Sequence, residues 1–377
     1  MDFDFTEDQD SLRDAVRRWV DKGFAFERRH RIAKNGGITR DVYAELAELG
    51  LTGLTIGADR GGMGFGAVEA MVVMEELGRG LVNAPYVAGA LVAPALLAAG
   101  DAPVQGAWLP RIADGSVLVV PALQERTARY VIAHVTTRAN QSGSAWVISG
   151  QKTLVPAGDE ADVFVVPARV GGDSADASGI GLFVVEKRAA GLTARATPTH
   201  DGARVATLNL NATPGTPITL DGHAALERAV DIGIAAVCAE AVGLMDRLLA
   251  LTVEYMNTRK QFGVPIASFQ ALRHRVADVK MQLELARSMS YYASLKLGEP
   301  PAQRRRALSQ AKVQLGQSMR FVGQQCIQMH GGIGVTDEYV GSHYFKRLTM
   351  LEVAFGDTMH HLGEVSARMQ DSAGVFA

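Results

Sequence analysis

The hydrophobic period of this chain changes twice, and that double change limits the folds open to it more than any other feature. From Thr6, an N-cap with acidic residues behind it, to about Ile112, apolar residues recur at helical spacing: Leu12, Val16, Trp19 and Val20, then Val42, Leu46 and Leu49, and later Val72, Met74 and Leu77. Between about Ser116 and Leu220 the pattern alternates with a period of two through Val117–Pro121, Tyr130–Val135, Trp146–Gly150, Val163–Pro167, Gly181–Glu186 and Ala206–Asn211. Gly and Asn/Asp/Ser clusters separate these runs, as strands joined by tight turns require. From about Gly222 to Arg368 long helical periods return. The spacing predicts a multidomain α+β chain: an N-terminal helical domain over 1–115, a central antiparallel β-barrel or sandwich over 116–221, and a C-terminal four-helix bundle over 222–377.

Composition narrows the function classes. With 377 residues and 47% hydrophobic content the chain can bury sizeable cores. Its net charge is −2, with both signs interspersed, so neither nucleic acid nor an anionic membrane is an electrostatically favoured partner. Cys238 and Cys326 lie in apolar helical contexts without CxxC or Cys/His spacing, so both are expected buried and reduced, with no metal site. The acidic start Met1–Glu7 lacks an apolar h-region, and no uninterrupted apolar span reaches about 18 residues. The longest candidate, Tyr86–Gly100, is Ala-rich and broken by proline. A soluble cytoplasmic protein without a membrane span is expected. The glycine-rich stretch Asp59–Gly66 follows no clear strand and lacks the Lys-Ser/Thr of a P-loop, so it reads as a helix-to-helix turn rather than a phosphate loop.

Two motifs in the C-terminal region carry chemistry. Gln-Met-His-Gly-Gly-Ile-Gly, Gln328–Gly334, follows a long helical run, so Gln328 can project from a helix end while Gly331, Gly332 and Gly334 admit a phosphate to bare backbone. Upstream stands Arg259-Lys-Gln-Phe-Gly-Val-Pro-Ile-Ala-Ser-Phe-Gln270. An arginine at a helix end can form paired hydrogen bonds to a pyrophosphate, Gly263 and Pro265 turn the chain, and Phe262 and Phe269 offer apolar surface to a ring or to the next helix. On the residues alone, a helix-capping arginine, a tight turn and core phenylalanines account for the same pattern.

These two motifs, in this order and on helix-rich sequence, resemble the acyl-CoA dehydrogenase family, and the order helices, strands, helices matches it along the whole chain. The resemblance implies that Arg259, Gln261, Phe262, Gln270, Gln328, Gly331 and Gly332 bind FAD across a subunit interface. It also implies an acyl-CoA thioester substrate, a carboxylate that removes the α-proton, a flavin that takes the β-hydrogen as hydride, an electron-transfer flavoprotein as acceptor, and a homo- or heterotetramer.

Departures from the family's pattern are as informative. The usual base is a Glu in a Glu-Gly-Thr turn; counted gaplessly from Gln328, its position is Phe355, followed by Gly356, Asp357 and Thr358. The alternative base, on the first long C-terminal helix, falls on Gly233 when counted back from Gly243. Asp357 is the leading substitute, although an Asp at this place also reads as an N-cap. Asp231 is displaced by two residues, roughly 200° around a helix, and Glu240 sits in an Ala- and Val-rich helix where a hydrogen-bonded structural role is the plainer reading. Gly150-Gln-Lys-Thr-Leu-Val-Pro156 is similar to the family's Gly-Gln-Lys-x-Trp-Ile-Thr segment, but the flavin-contacting Trp and Thr are replaced by Leu154 and Pro156. Proline offers neither an N–H nor a hydroxyl. The family's Thr-Glu-Pro-x-x-Gly-Ser-Asp loop is reduced to Ala122–Arg126. The chain thus keeps the residues lent to a neighbour's FAD better than those that hold its own.

That asymmetry predicts a heteromeric enzyme whose base and flavin platform come from a partner subunit. Gly331–Tyr339, Gly341–Arg347, Asp2–Phe5 and Tyr43–Leu51 look like the small subunit of pimeloyl-CoA dehydrogenase and related paired enzymes. A self-sufficient homotetramer with Asp357 as base, or a flavin-free helical scaffold, are the alternative readings. Arg79 and His343 are candidates for receiving a distal carboxylate, with a surface role as the simpler expectation.

Overall fold

A computed structural model describes residues 5–373, with side chains through residue 369, and the chain folds into two compact units. Residues 2–4 of the Asp2–Phe5 stretch lie outside the described residues. One unit gathers the described residues up to Arg29, then Ala67–Val82 and the chain from Ile234 on; the other gathers His30–Gly66 and Asn83–Gly233.

The first unit is helical. Helix α1 (Glu7–Gly23) starts at Thr6, whose hydroxyl accepts from the Gln9 backbone while Gln9 reaches back to the Thr6 N–H, a reciprocal cap that fixes the first turn. It packs on α4 (Ala67–Arg79) through Val16 and Val20, with Arg17 bridging to the buried Glu76. The bundle is completed by the later part of α7 (His223–Thr258) together with α8 (Gln270–Lys296), α9 (Pro301–His330), α10 (Val340–Val353) and α11 (Thr358–Ala373). Crossing α4 over α7 demands two glycines. A Cβ on Gly78 would lie 2.2 Å from the Glu240 carbonyl, and one on Gly243 would lie 1.9 Å from the Glu75 carbonyl. The two helices therefore touch backbone to backbone.

The second unit is built on β-structure. Strands β1 (Val119–Pro121), β2 (Arg138–Ser142), β3 (Ala145–Pro156), β4 (Val163–Arg169), β5 (Ile180–Glu186), β6 (Leu192–Pro198) and β7 (Arg204–Thr219) form one sheet. Its order is β1-β4-β2-β3-β7-β5 with β6 on β7, and a further β4–β5 pairing closes the strands into a barrel. Most pairs are antiparallel; β1 and β2 both meet β4 in parallel. Leu118, Ile148, Phe164, Phe183 and Leu208 fill the interior, joined by Tyr43 of α3 (Arg40–Glu48).

The alternating run Tyr130–Val135 is not a strand. It lies in turns whose Ala133 and Val135 carbonyls accept from Arg169, a buried guanidinium that also binds the carbonyls of Ser174, Asp176 and Ser178. Here a buried cation organises a loop and overrides the local pattern. Conversely, β6 carries no apolar alternation because its residues are largely exposed, and it forms by pairing with the long β7. The Asp59–Gly66 stretch is a turn folded on its own backbone: a Cβ on Gly62 would stand 2.1 Å from the Ile56 carbonyl. Cys238 and Cys326 are buried free thiols. No helix among the described residues is long and apolar enough to cross a membrane.

Candidate functional site

The two C-terminal motifs meet at one end of the helical unit. Tyr255, on α7 one turn before Arg259, packs its ring at a tilt against that of His330, centroids 4.7 Å apart, and His330 closes α9 two residues after Gln328. Beyond Arg259 the chain makes a two-residue hairpin, pairing Lys260 with Pro265 and Gln261 with Val264, and the Ile266 N–H returns to the Arg259 carbonyl at 2.8 Å. The hairpin tip holds Phe262 at φ 53° and Gly263 at φ 80°. Phe262 is 91% exposed and meets Phe269 edge-on at 6.1 Å, just before Gln270 begins α8. Arg259, Gln261, Gln270, Gln328, Gly331 and Gly332 are all exposed around this end.

His330 fixes the glycine turn. Burial lowers its pKa, so the ring is neutral; Nδ1–H donates to the Cys326 carbonyl at 2.8 Å, and Nε2 accepts from the Tyr339 hydroxyl at 2.7 Å. Gly331 follows at φ 66°, and a Cβ on Gly331 or Gly332 would meet nothing within 4 Å. The turn therefore presents open backbone on a rigid base. The motif made His330 visible in the sequence but gave no sign of Tyr339 as its partner.

The turn where a base is expected is equally well determined. Phe355 is half-buried at φ 56°, and Gly356 at φ 117° passes so close to His361 that a Cβ there would lie 2.5 Å from its Nε2. Lys312 of α9, buried, donates to the carbonyls of Leu351 at 2.8 Å, Glu352 at 2.8 Å and Gly356 at 3.0 Å. This places a cation on the C-terminal end of α10, where the helix dipole is negative. Burial pushes the Lys312 pKa down to about 8, with Cys238, Glu352 and Asp357 opposing. His361 Nε2–H donates to the Phe355 carbonyl at 3.0 Å, and burial followed by the Lys312 charge pushes this histidine down to about 3. Glu352 accepts from the Thr358 N–H and hydroxyl, and Asp357 Oδ1 accepts from the His360 N–H at 2.8 Å as the N-cap of α11. One Asp357 oxygen is thus committed to the helix start.

The other carboxylates weighed from sequence have structural surroundings. Glu240 is buried and chelates Arg347 at 2.6 and 2.9 Å, and Asp231 is fully buried on α7. His343 is not a surface residue: it is 4% exposed, accepts from Arg29 through Nδ1 at 2.8 Å and bonds the Asp337 carbonyl through Nε2. Arg79 is bound to Glu76 and Asp21.

In the β unit, Leu154 sits in a bulge of β3 between Lys152 and Val155, at φ 53° and 59% exposed, and Pro156 is exposed at the strand end. The bulge is anchored by Lys152, fully buried and 2.7 Å from Glu125, which also accepts from the Thr136 and Thr137 N–H groups. Burial alone would raise the Glu125 pKa; the Lys152 charge and these hydrogen bonds bring it to about 2. The shortened Ala122–Arg126 segment thus pins β3 through Glu125.

Comparisons with known proteins agree with this arrangement along the chain. Three family models match in order: acyl-CoA dehydrogenase N-terminal domain over residues 6–116, middle domain over 122–212 and C-terminal domain over 221–370. Acyl-CoA dehydrogenase FadE27 of Mycobacterium tuberculosis is 26% identical, covering 99% of this chain and 100% of that relative. The solved structure of a Tcur3481-Tcur3483 steroid ACAD variant superposes with a TM-score of 0.88 at 28% identity, covering 98% of this chain and 99% of the other. The ChsE4-ChsE5 complex from Mycobacterium tuberculosis gives a TM-score of 0.89 at 26% identity over 98% and 99%. With three consecutive domain matches and structural likeness along the whole chain, the chain belongs to the acyl-CoA dehydrogenase family, FAD-dependent oxidoreductases acting on the CH–CH bond of acyl-CoA thioesters.

Proposed function

We propose that this chain is one subunit of a heteromeric acyl-CoA dehydrogenase, akin to the small subunit of pimeloyl-CoA dehydrogenase, and that it completes an FAD site whose base and flavin platform lie on a partner subunit. The observation that supports the reading is the turn held by Lys312, Glu352 and His361, in which Phe355 falls at the family's base position when counted gaplessly from Gln328. A phenyl ring accepts no proton. Two of the solved relatives, the Tcur3481-Tcur3483 enzyme and the ChsE4-ChsE5 complex, are named as pairs, which supports a paired assembly here.

The residues at the bundle end fit FAD. Arg259 offers a guanidinium fork for pyrophosphate, Gln261, Gln270 and Gln328 offer amides, and the open Cβ positions of Gly331 and Gly332 let phosphate oxygens approach backbone N–H groups. Phe262 offers an aromatic face. Leu154 and Pro156 fit less well, since neither side chain gives a polar contact and Pro156 has no N–H. When bound, FAD supplies the acceptor for the substrate's β-hydrogen. This chain's part is to bind and orient the cofactor; proton abstraction belongs to the partner, with electron-transfer flavoprotein as the acceptor from the assembled enzyme.

The test is to purify the chain alone and together with candidate partner subunits, and to follow flavin reduction by a panel of acyl-CoA thioesters under anaerobic conditions. Reduction only in the presence of a partner is expected. Robust reduction by the chain alone, abolished in Asp357→Asn with FAD still bound, would replace this reading with a self-sufficient enzyme using Asp357. Asparagine keeps the helix cap, so the variant separates the two roles of that residue.

A further inference from the structure

The glycine turn has little packing of its own. Gly331 and Gly332 carry no side chains, Ile333 and Val335 are 44% and 73% exposed, and between Gly331 and Val335 only Gly334 is buried. Its order therefore comes from its two ends. On the α9 side the Gly331 N–H bonds the Gln328 and Ile327 carbonyls, and Gly334 folds back so closely that a Cβ on it would lie 2.9 Å from the His330 Cβ. On the α10 side the Asp337 carbonyl accepts from His343 at 2.8 Å and its carboxylate accepts from Lys346 at 3.2 Å. Tyr339 joins the two sides. Half-buried, it lies across Gly341, where a Cβ would stand 2.7 Å from its ring, and its hydroxyl reaches back to His330 Nε2 at 2.7 Å. That bond closes the segment from Gly331 to Glu338 into a loop.

His330 is also the joint between the two motifs. Its ring, 3% exposed, packs against Tyr255 and against Tyr339, with centroids 4.7 and 4.9 Å away. Tyr255 in turn accepts the Arg259 N–H on its carbonyl at 2.8 Å. A rotation of the imidazole would be felt at the Arg259 end and at the glycine turn alike. Two hydrogen bonds oppose that rotation. Nδ1–H donates to the Cys326 carbonyl, which leaves Nε2 of the neutral ring a bare, buried acceptor in need of a donor. The Tyr339 hydroxyl is that donor, and it keeps its proton because burial, then Glu254 and Tyr255, raise its pKa.

We propose that Tyr339 is a positioning residue for the cofactor: through His330 its hydroxyl holds the Gly331–Gly332 turn in place relative to Arg259, so that guanidinium and open backbone address one pyrophosphate. The inference rests on the assignment of this end of the helical unit to FAD. It does not depend on whether the neighbouring subunit is a second copy or a different chain. Tyr339 acts by removing freedom that the turn would otherwise lose on binding.

The experiment measures FAD affinity by flavin fluorescence on the assembled enzyme, for wild type, Tyr339→Phe, His330→Gln, Gly332→Ala, Arg259→Gln and the double variant Tyr339→Phe/Gly332→Ala, with a thermal melt of each to check that it is folded. Tyr339→Phe keeps the ring and removes only the donor; a loss of about tenfold or more is expected. His330→Gln breaks the same link from its other end and should loosen FAD similarly. Gly332→Ala adds a methyl where nothing stands within 4 Å, so it disturbs the ligand's approach rather than the fold. The double variant should lose less than the product of the two single losses, because both changes act at one turn, whereas a merely structural hydroxyl leaves the losses independent. In the flavin-free full chain, 15N NMR at about pH 8 should show one bare His330 ring nitrogen, assigned by its absence in His330→Gln, whose resonance moves in Tyr339→Phe. Wild-type FAD affinity in folded Tyr339→Phe or His330→Gln while Arg259→Gln loses FAD, independent losses in the double variant, or an unmoved His330 resonance overturns the proposal and leaves the FAD site standing. Unchanged affinity in Arg259→Gln as well overturns the site assignment, and the proposal with it.

Discussion

Lys312 makes stability depend on pH in an unusual direction. Its folded pKa of about 8 lies below the ordinary value of 10.5, because burial penalises the ammonium more than Cys238, Glu352 and Asp357 favour it. Between about pH 8 and 10.5 the unfolded chain still carries this proton while the native chain has released it. The unfolded state therefore binds more protons in that window, and stability rises with pH through it. Below pH 8 both states are protonated and the full burial cost is present. A gap of this size corresponds to about 3 kcal/mol. Lys312→Met removes the ammonium and its three hydrogen bonds to carbonyls, so the variant lacks this pH-dependent contribution. Wild type should gain about 3 kcal/mol relative to the variant between pH 7.5 and 10.5, other titrations cancelling in the difference. The direct assay is 13C NMR of lysine Cε, with Lys312 assigned from its absence in Lys312→Met; an inflection near pH 8 is expected. Parallel denaturant midpoints at three pH values give the energetic side. An inflection at or above the ordinary lysine value, or a stability difference flat across the window, refutes the reasoning.

Three further outcomes follow from the geometry. Gly243→Ala forces a methyl to within 1.9 Å of the Glu75 carbonyl, on backbone that cannot swing aside; a cost of roughly 3 kcal/mol is expected, read as a lower melting temperature, and an unchanged melt would contradict the backbone contact of α4 and α7. Arg169→Met leaves the carbonyls of Ala133, Ser174, Asp176 and Ser178 without their buried donor, so a loss of about 3 kcal/mol and rapid proteolysis between residues 171 and 179 are expected, with wild-type protease resistance as the refuting result. Arg259→Gln removes the guanidinium fork at the exposed end of α7; in the assembled enzyme FAD should bind about tenfold or more weakly, measured by flavin fluorescence, with unchanged retention refuting a cofactor role.

Much of this was legible because the relevant signals are local. A hydrophobic period reports the face of its own helix or strand, and Arg259 or Gly331 announces a turn through residues beside it. Failures came where distant groups decide. Tyr130–Val135 alternates like a strand, yet Arg169 on β4 claims its carbonyls. Strand β6 is exposed and so carries no apolar signature, its existence resting on β7. Lys312, in the middle of a polar helical run, gives no sequence hint that it reaches the turn at Gly356. His343, whose simpler expectation from sequence is a surface role, is buried by Phe26 and Arg29 from the other end of the chain. The Asp357 cap was readable from its place before the two histidines, since a cap is again a local arrangement.

The hairpin at Phe262 has a consequence for how fast and how selectively another chain can engage this one. The ring is held away from the surface by a two-residue turn already in its left-handed conformation and braced by Phe269, so little backbone freedom remains to be lost when it is covered. Burying a phenylalanine side chain is worth about 1.5–3 kcal/mol, and here nearly all of it is available at first touch. In the proposed paired assembly such a preformed projection acts as a gauge: a partner with a matching socket covers the ring with little reordering, and one whose socket is displaced must first reshape it.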